Sequence, residues 1–126
     1  MILRGPRTYE QYERALQQRV TQLLAAILPH GTFFTAFAGG DGRRTTTPGY
    51  VAGTPDLLIV YAGRAIFIEL KRPKKGRIAT HQKFVHERIA LAGALVAVCR
   101  TPAEVVDFLA QITPLRRPEI HLERLL

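Results

Sequence analysis

A chain of 126 residues falls in the range of a single domain and is long enough to bury a core. Its apolar content of 47% is ordinary for a folded protein, and no apolar run reaches the length of a membrane span. The formal charge of +8 is unevenly spread: residues 64–100 hold nine Lys/Arg against two acids, while residues 1–63 sum to +2 and the remainder to −1. Such clustering argues for a polyanion partner over a merely soluble surface.

The first residues carry no signal-peptide pattern. The lone Cys99 lies in an apolar run and has no second cysteine to pair with, which fits a core residue in a reducing cytoplasm. The four histidines lack ligand spacing; His81 and His86 face different ways on a predicted helix, so zinc is not expected.

In chain order, Thr8 to Leu28 reads as a helix, with a Thr8/Gln11 capping box and a stop at Pro29. Tyr9, Tyr12, Leu16, Val20, Leu23 and Ile27 form one apolar stripe, and Glu13 lies within it as an inward-facing acid. Thr32 to Ala38 reads as a strand. The Gly- and Thr-rich segment from Gly39 to Gly49 reads as a loop that offers Arg43 and Arg44 to phosphate.

The segment from Gly53 to Lys71 carries the most information. Two apolar strands, the first beginning at Asp56 and the second ending in Glu69-x-Lys71, are joined at Gly63-Arg64, which suits a type II′ turn. That register pairs Ala62 with Ala65, Leu58 with Glu69 and Asp56 with Lys71, so Asp56, Glu69 and Lys71 converge on one face. Two carboxylates about 5 Å apart repel by roughly 3 kcal/mol at an effective dielectric near 20. Protonation, a paired cation or a bound metal must offset that repulsion. An oxygen-only donor set with open positions suits Mg²⁺ or Mn²⁺. A plain Lys71–Asp56 ion pair with Glu69 solvated is the alternative.

A basic loop from Lys71 to Arg77 follows. Thr80 is placed to cap a helix that runs to Leu91 and ends at Gly93, with Gln82, Val85 and Ile89 on one face. Ala94 to Cys99 is a continuous apolar strand. Thr101-Pro102-Ala103-Glu104 opens a last helix that runs to Ile112. Leu115 to Leu126 fits either an extra strand or a helix packed on a partner subunit. The whole is one domain, residues 1–126, with a C-terminal extension over about 113–126.

This order of elements is α/β, with helices flanking a mixed sheet. Together with Gly53-x-Pro55-Asp56 and Glu69-x-Lys71, it resembles the PD-(D/E)xK nuclease superfamily. Within that superfamily the chain is most similar to the VRR-Nuc (virus-type replication-repair nuclease) family in its small stand-alone form. The resemblance runs from Glu13 to Leu109. It rests on Glu13 with Leu16-Gln17 and Val20, on Gly53-Thr54-Pro55-Asp56-Leu57, on Phe67-Ile68-Glu69-Leu70-Lys71 and on Thr80-His81-Gln82-Lys83-Phe84. Ala92-Gly93-Ala94 leading into Val96-Ala97-Val98 completes it.

The resemblance implies a restriction-endonuclease-like core in the order αβββαβα. It also implies a divalent-metal-dependent deoxyribonuclease with Mg²⁺ or Mn²⁺ as cofactor. Asp56 and Glu69 become metal ligands with the Leu70 backbone carbonyl and Glu13, Lys71 positions or deprotonates the attacking water, and Gln82 is an accessory residue. Arg43, Arg44, Arg72, Lys74, Lys75, Arg77 and Lys83 are the candidate DNA contacts. The expected substrate is branched DNA such as a Holliday junction, cut by a homodimer in DNA repair, in the cytoplasm of a prokaryotic or phage-infected cell. A non-catalytic basic DNA-binding module is the competing reading. A phosphate-handling metabolic enzyme is disfavoured, because no Gly-rich phosphate loop is present.

Overall fold

The computed structural model describes residues 8–37, 48–74 and 76–116. In them seven elements follow the expected order: α1 (Tyr9–Ile27), β1 (Phe33–Ala36), β2 (Leu57–Tyr61), β3 (Arg64–Leu70), α2 (Thr80–Leu91), β4 (Leu95–Cys99) and α3 (Pro102–Ala110). The strands form one sheet in the order β1-β2-β3-β4; the first three pair antiparallel and β4 joins β3 in parallel. A parallel pair needs a long crossover, and the basic loop with α2 provides it.

Alternation along β3 divides the two faces of the sheet. Ile66, Ile68 and Leu70 point into the main core with Leu57 and Ile59 of β2, under Leu16, Val20, Leu24 and Leu28 from α1 and Val105 and Leu109 from α3. Each such aliphatic side chain contributes roughly 1.5–3 kcal/mol when fully buried. The intervening residues Phe67 and Glu69 face the other way, toward α2. The Lys71 N–H donates to the Cys99 carbonyl at 3.1 Å, which extends the β3–β4 ladder and keeps Lys71 in phase with Glu69.

Several boundaries differ from the sequence reading. The hairpin turns at Ala62-Gly63, not Gly63-Arg64, and both residues have positive φ (50° and 79°), the type I′ signature in place of II′. Val60 therefore pairs with Ala65 and Leu58 with Phe67. The expected Leu58–Glu69 and Asp56–Lys71 pairs do not form, and the register carried one residue on sets Asp56 opposite Glu69. The slip is by two residues, so every side chain keeps its face.

In α1 the Thr8/Gln11 capping box forms as expected. Tyr12, expected inside, is 44% exposed, and the core stripe instead takes in Leu24 and Leu28. The N-cap of α2 is Ala79 and not Thr80; the Gln82 side chain accepts from the Ala79 N–H at 2.9 Å and satisfies the helix end from within. Strand β1 ends at Ala36, and α3 ends at Ala110, short of Ile112. Cys99 is buried as expected, and burial pushes its thiol up to about 12.

After α3 the chain returns to α1. Leu115 packs on the core, the Arg116 N–H donates to the Ile27 carbonyl at 2.6 Å, and the Arg116 guanidinium donates to the Leu28 and Ala25 carbonyls. The last turn of α1 has no basic residue of its own, so Arg116 supplies the cation that favours a helix C-terminus. Most of the loop offering Arg43 and Arg44, Lys75 in the basic loop, and residues 117–126 of the proposed extension lie outside the described residues.

Candidate functional site

The ends of β2 and β3 bring a cluster of charges together. Gly53 opens the approach with φ +96°, a conformation that favours glycine. A Cβ there would stand 3.0 Å from the His81 carbonyl oxygen and 3.1 Å from Val85 Cγ2. Only a bare backbone passes this close beneath α2. Pro55, buried, then directs the chain into β2 with Asp56 at its mouth.

The Leu70 N–H donates to Oδ2 of Asp56 at 2.7 Å. Glu69 is only 3% exposed, and its carboxyl hydrogen-bonds the Asp56 carboxylate. Burial is the main reason that its pKa rises to about 9, followed by the hydrogen bond and the charge of Asp56. Lys71 opposes the rise and Glu13 adds to it. Burial beside Asp56 thus favours the neutral form of the Glu69 carboxyl.

Helix α2 grips the other side of Glu69. Gln82 Nε2 donates to Glu69 Oε1 at 3.4 Å, and His86 Nε2 lies 3.6 Å from the same oxygen. The two residues are four apart and share a helix face, so both approach one carboxylate oxygen from one side of α2. Burial lowers the His86 pKa, and Lys71 lowers it further. The sequence reading passed over His86, although its place one turn after Gln82 was the available signal.

Lys71 is 7% exposed and points to Glu13 of α1, with Nζ 3.9 Å from Glu13 Oε1. Glu13, expected as a further carboxylate ligand, is thus brought to the same end of the sheet beside Lys71. Among the described residues no three His, Cys, Asp or Glu side chains lie close enough to share an ion. The protein side chains offer two carboxylates, with the Leu70 peptide beside them. That hard-oxygen set fits a cation such as Mg²⁺ that takes few protein ligands and keeps waters.

No protein-family model matches this chain, and no curated protein is similar to it at a significant level. Solved structures are. A "VRR_NUC domain" structure superposes with a TM-score of 0.59 and 24% identity, over 80% of this chain and 97% of its own. A "VRR_NUC domain protein" gives a TM-score of 0.66 and 22% identity, over 79% and 85%. The chain has the fold of the VRR-Nuc domain.

In this VRR-Nuc fold the site residues separate into two groups. Asp56, Glu69, Lys71, Glu13, Gln82 and the Leu70 peptide come together at the strand ends. Of the candidate DNA contacts, Lys74, Arg77 and Lys83 are exposed. Arg72 is half-buried, and its carbonyl accepts from Arg100 Nη1 at 3.1 Å, so it is a built part of the loop more than a free surface charge. Arg100 Nη1 also donates to the Gly76 carbonyl, which closes the described part of the basic loop onto the end of β4. No helix among the described residues is long and apolar enough to cross a membrane.

Proposed function

We propose that this protein is a VRR-Nuc family nuclease, a divalent-metal-dependent endonuclease that hydrolyses DNA phosphodiester bonds. The observation that carries the reading is the half-buried Asp56 against the buried Glu69, with buried Lys71 two residues on along the same face. A carboxyl whose charge is disfavoured by burial and by a second acid beside it is a poor choice for stability alone. It is a good choice for a place that exchanges a proton for a cation.

Asp56 and Glu69 would hold Mg²⁺ or Mn²⁺, with the Leu70 backbone carbonyl as a third ligand. Such an ion, when bound, supplies Lewis-acid stabilisation of charge on phosphate oxygens and acidifies water nearby. The Lys71 ammonium neutralises charge that develops on the phosphate and orients the attacking water. Glu13 fixes the Lys71 side chain. Gln82 donates to Glu69 Oε1, and His86 stands beside the same oxygen.

The net charge of +8, gathered between residues 64 and 100, suits a nucleic-acid substrate. Branched DNA, a Holliday junction among others, is the substrate we assign. A homodimer would set two such sites against opposed strands. Four-way junctions, flaps and plain duplexes, incubated under one salt condition with Mg²⁺, Mn²⁺ or EDTA, test this. Cleavage should need the metal, favour branched DNA and vanish in Lys71→Met while binding persists. Binding with no metal-dependent cleavage, indifferent to Asp56→Ala, would instead identify a non-catalytic basic DNA-binding module.

A further inference from the structure

Helix α2 and the loop before β2 enclose a groove of about 300 Å³ on the side of the sheet that carries Glu69. Phe67 lines it; this residue shares the face of Glu69 and lies two positions before it, about 7 Å along a strand. Val85, Ile89 and Ala92 line it from α2, and Val51 from the loop that leads to Asp56. No carboxylate lines it.

Two polar side chains share this apolar lining, Thr54 and Arg88. The Thr54 hydroxyl donates to the Val51 carbonyl at 2.6 Å, so its proton is committed and its lone pairs are left to accept. Arg88 is exposed, and its guanidinium lies 5.8 Å from the centroid of the Phe84 ring. That contact orients the side chain without matching its N–H donors, and no acceptor or carboxylate among the described residues is bonded to them.

An aliphatic anchor from a protein partner would use neither polar group. A nucleobase would use both, because it carries apolar faces, an edge of donors and acceptors, and an anionic phosphate nearby. The surrounding charge suits it as well: residues 64–100 hold nine Lys/Arg against two acids, and Lys83 on the same helix is exposed. A paired base has its edge engaged and its faces stacked, so only an unpaired one is free to enter.

We propose that this groove receives one unpaired nucleobase of a DNA strand beside the carboxylate site, and so distinguishes branched or bulged DNA from plain duplex. Phe67 and Ile89 pack on the base, while Arg88 and Thr54 meet its edge or its phosphate. That the bound strand is also cut rests on the nuclease reading; binding of the base does not.

The test is binding by the full chain in EDTA across a KCl series, read by anisotropy of two fluorescein-labelled duplexes that differ only in an unpaired bulge. Ala92→Leu fills the groove from the exposed end of α2, and Arg88→Gln removes the cation; both positions are exposed, so the fold should survive. The unaltered protein should bind the bulged duplex at least about fivefold more tightly than the paired one, the scale of one stacked base. Ala92→Leu should erase that preference and leave affinity for the paired duplex unchanged. Arg88→Gln should weaken the bulged complex about fivefold and flatten its slope of log K against log[salt] by about 0.7–0.9. Equal affinity of the unaltered protein for the two duplexes would overturn the proposal, as would a preference that survives Ala92→Leu and Arg88→Gln. Conversion of a dimer to a monomer by Ala92→Leu in sedimentation, with the preference intact, would make the groove a contact between copies instead. Absence of metal-dependent cleavage, with the preference present and lost in Ala92→Leu, would remove the nuclease reading and leave the base site standing.

Discussion

The backbone N–H of Leu70 donates to Oδ2 of Asp56 at 2.7 Å, tying the last residue of β3 to the residue before β2 across the sheet. This bond fixes the Asp56 carboxylate next to Glu69, whose own ionisation burial and Asp56 disfavour. An asparagine at 56 keeps an acceptor for Leu70 and removes the charge. Asp56→Asn is expected to lower cleavage at least about a hundredfold while the melting temperature changes little. Steady-state cleavage and scanning calorimetry on the same preparation check both halves.

Glu69 makes stability depend on pH in a direction opposite to that of an ordinary paired carboxylate. Its pKa is raised from 4.5 to about 9, so the folded metal-free chain binds this proton more tightly than the unfolded one. The contribution is fully present below pH 4.5 and is lost as pH rises toward about 9. In EDTA the melting temperature should therefore fall over this window more steeply for the unaltered protein than for Glu69→Gln. Added Mg²⁺ or Mn²⁺ should restore stability most at the alkaline end, where it no longer competes with the proton. Parallel slopes for the two proteins would remove Glu69 as the source.

Gly53 is required twice over, by its φ of +96° and by the 3.0 Å approach of a would-be Cβ to the His81 carbonyl. Gly53→Ala should cost roughly 1–3 kcal/mol in urea unfolding. Because the displaced backbone leads directly to Asp56, cleavage should fall as well. DNA affinity in EDTA, which does not depend on that carboxylate, should hold.

His86 approaches the oxygen of Glu69 that Gln82 also binds, so its expected role is to hold that carboxylate in place. His86→Leu should weaken divalent-ion binding about tenfold, the usual scale for losing a group that orients a ligand. His86→Gln, which keeps a donor, should recover most of the loss. Titration calorimetry with Mn²⁺ separates this from any effect on DNA, and equal loss in both variants would mean that His86 acts only by packing.

Much of this was legible in the residues because short-range rules and facing rules point the same way. The Thr8/Gln11 box, the Thr101-Pro102 start and the apolar run before Cys99 are local signals, and each forms where expected. The convergence of Asp56, Glu69 and Lys71 depended only on which face each occupied. It survived a wrong turn because the two-residue slip preserves alternation. The turn itself was misread because Ala62 accepts φ 50°, a conformation that the usual preference would give to glycine alone. Tyr12 was assigned to the core by spacing, yet it lies near the start of α1 and is half-exposed. His86 and Arg100 gain their places from packing between elements distant in sequence, which periodicity within one element does not encode.

The central claim is that Asp56 and Glu69, from neighbouring strands, together grip one divalent ion. Anomalous diffraction from crystals grown with Mn²⁺ measures this directly. The account predicts a peak about 2.0–2.2 Å from an oxygen of each carboxylate, lost in Glu69→Gln. Full Mn²⁺-dependent cleavage in crystals or solution with no peak between these two residues, or with a peak elsewhere that survives their neutralisation, would contradict it.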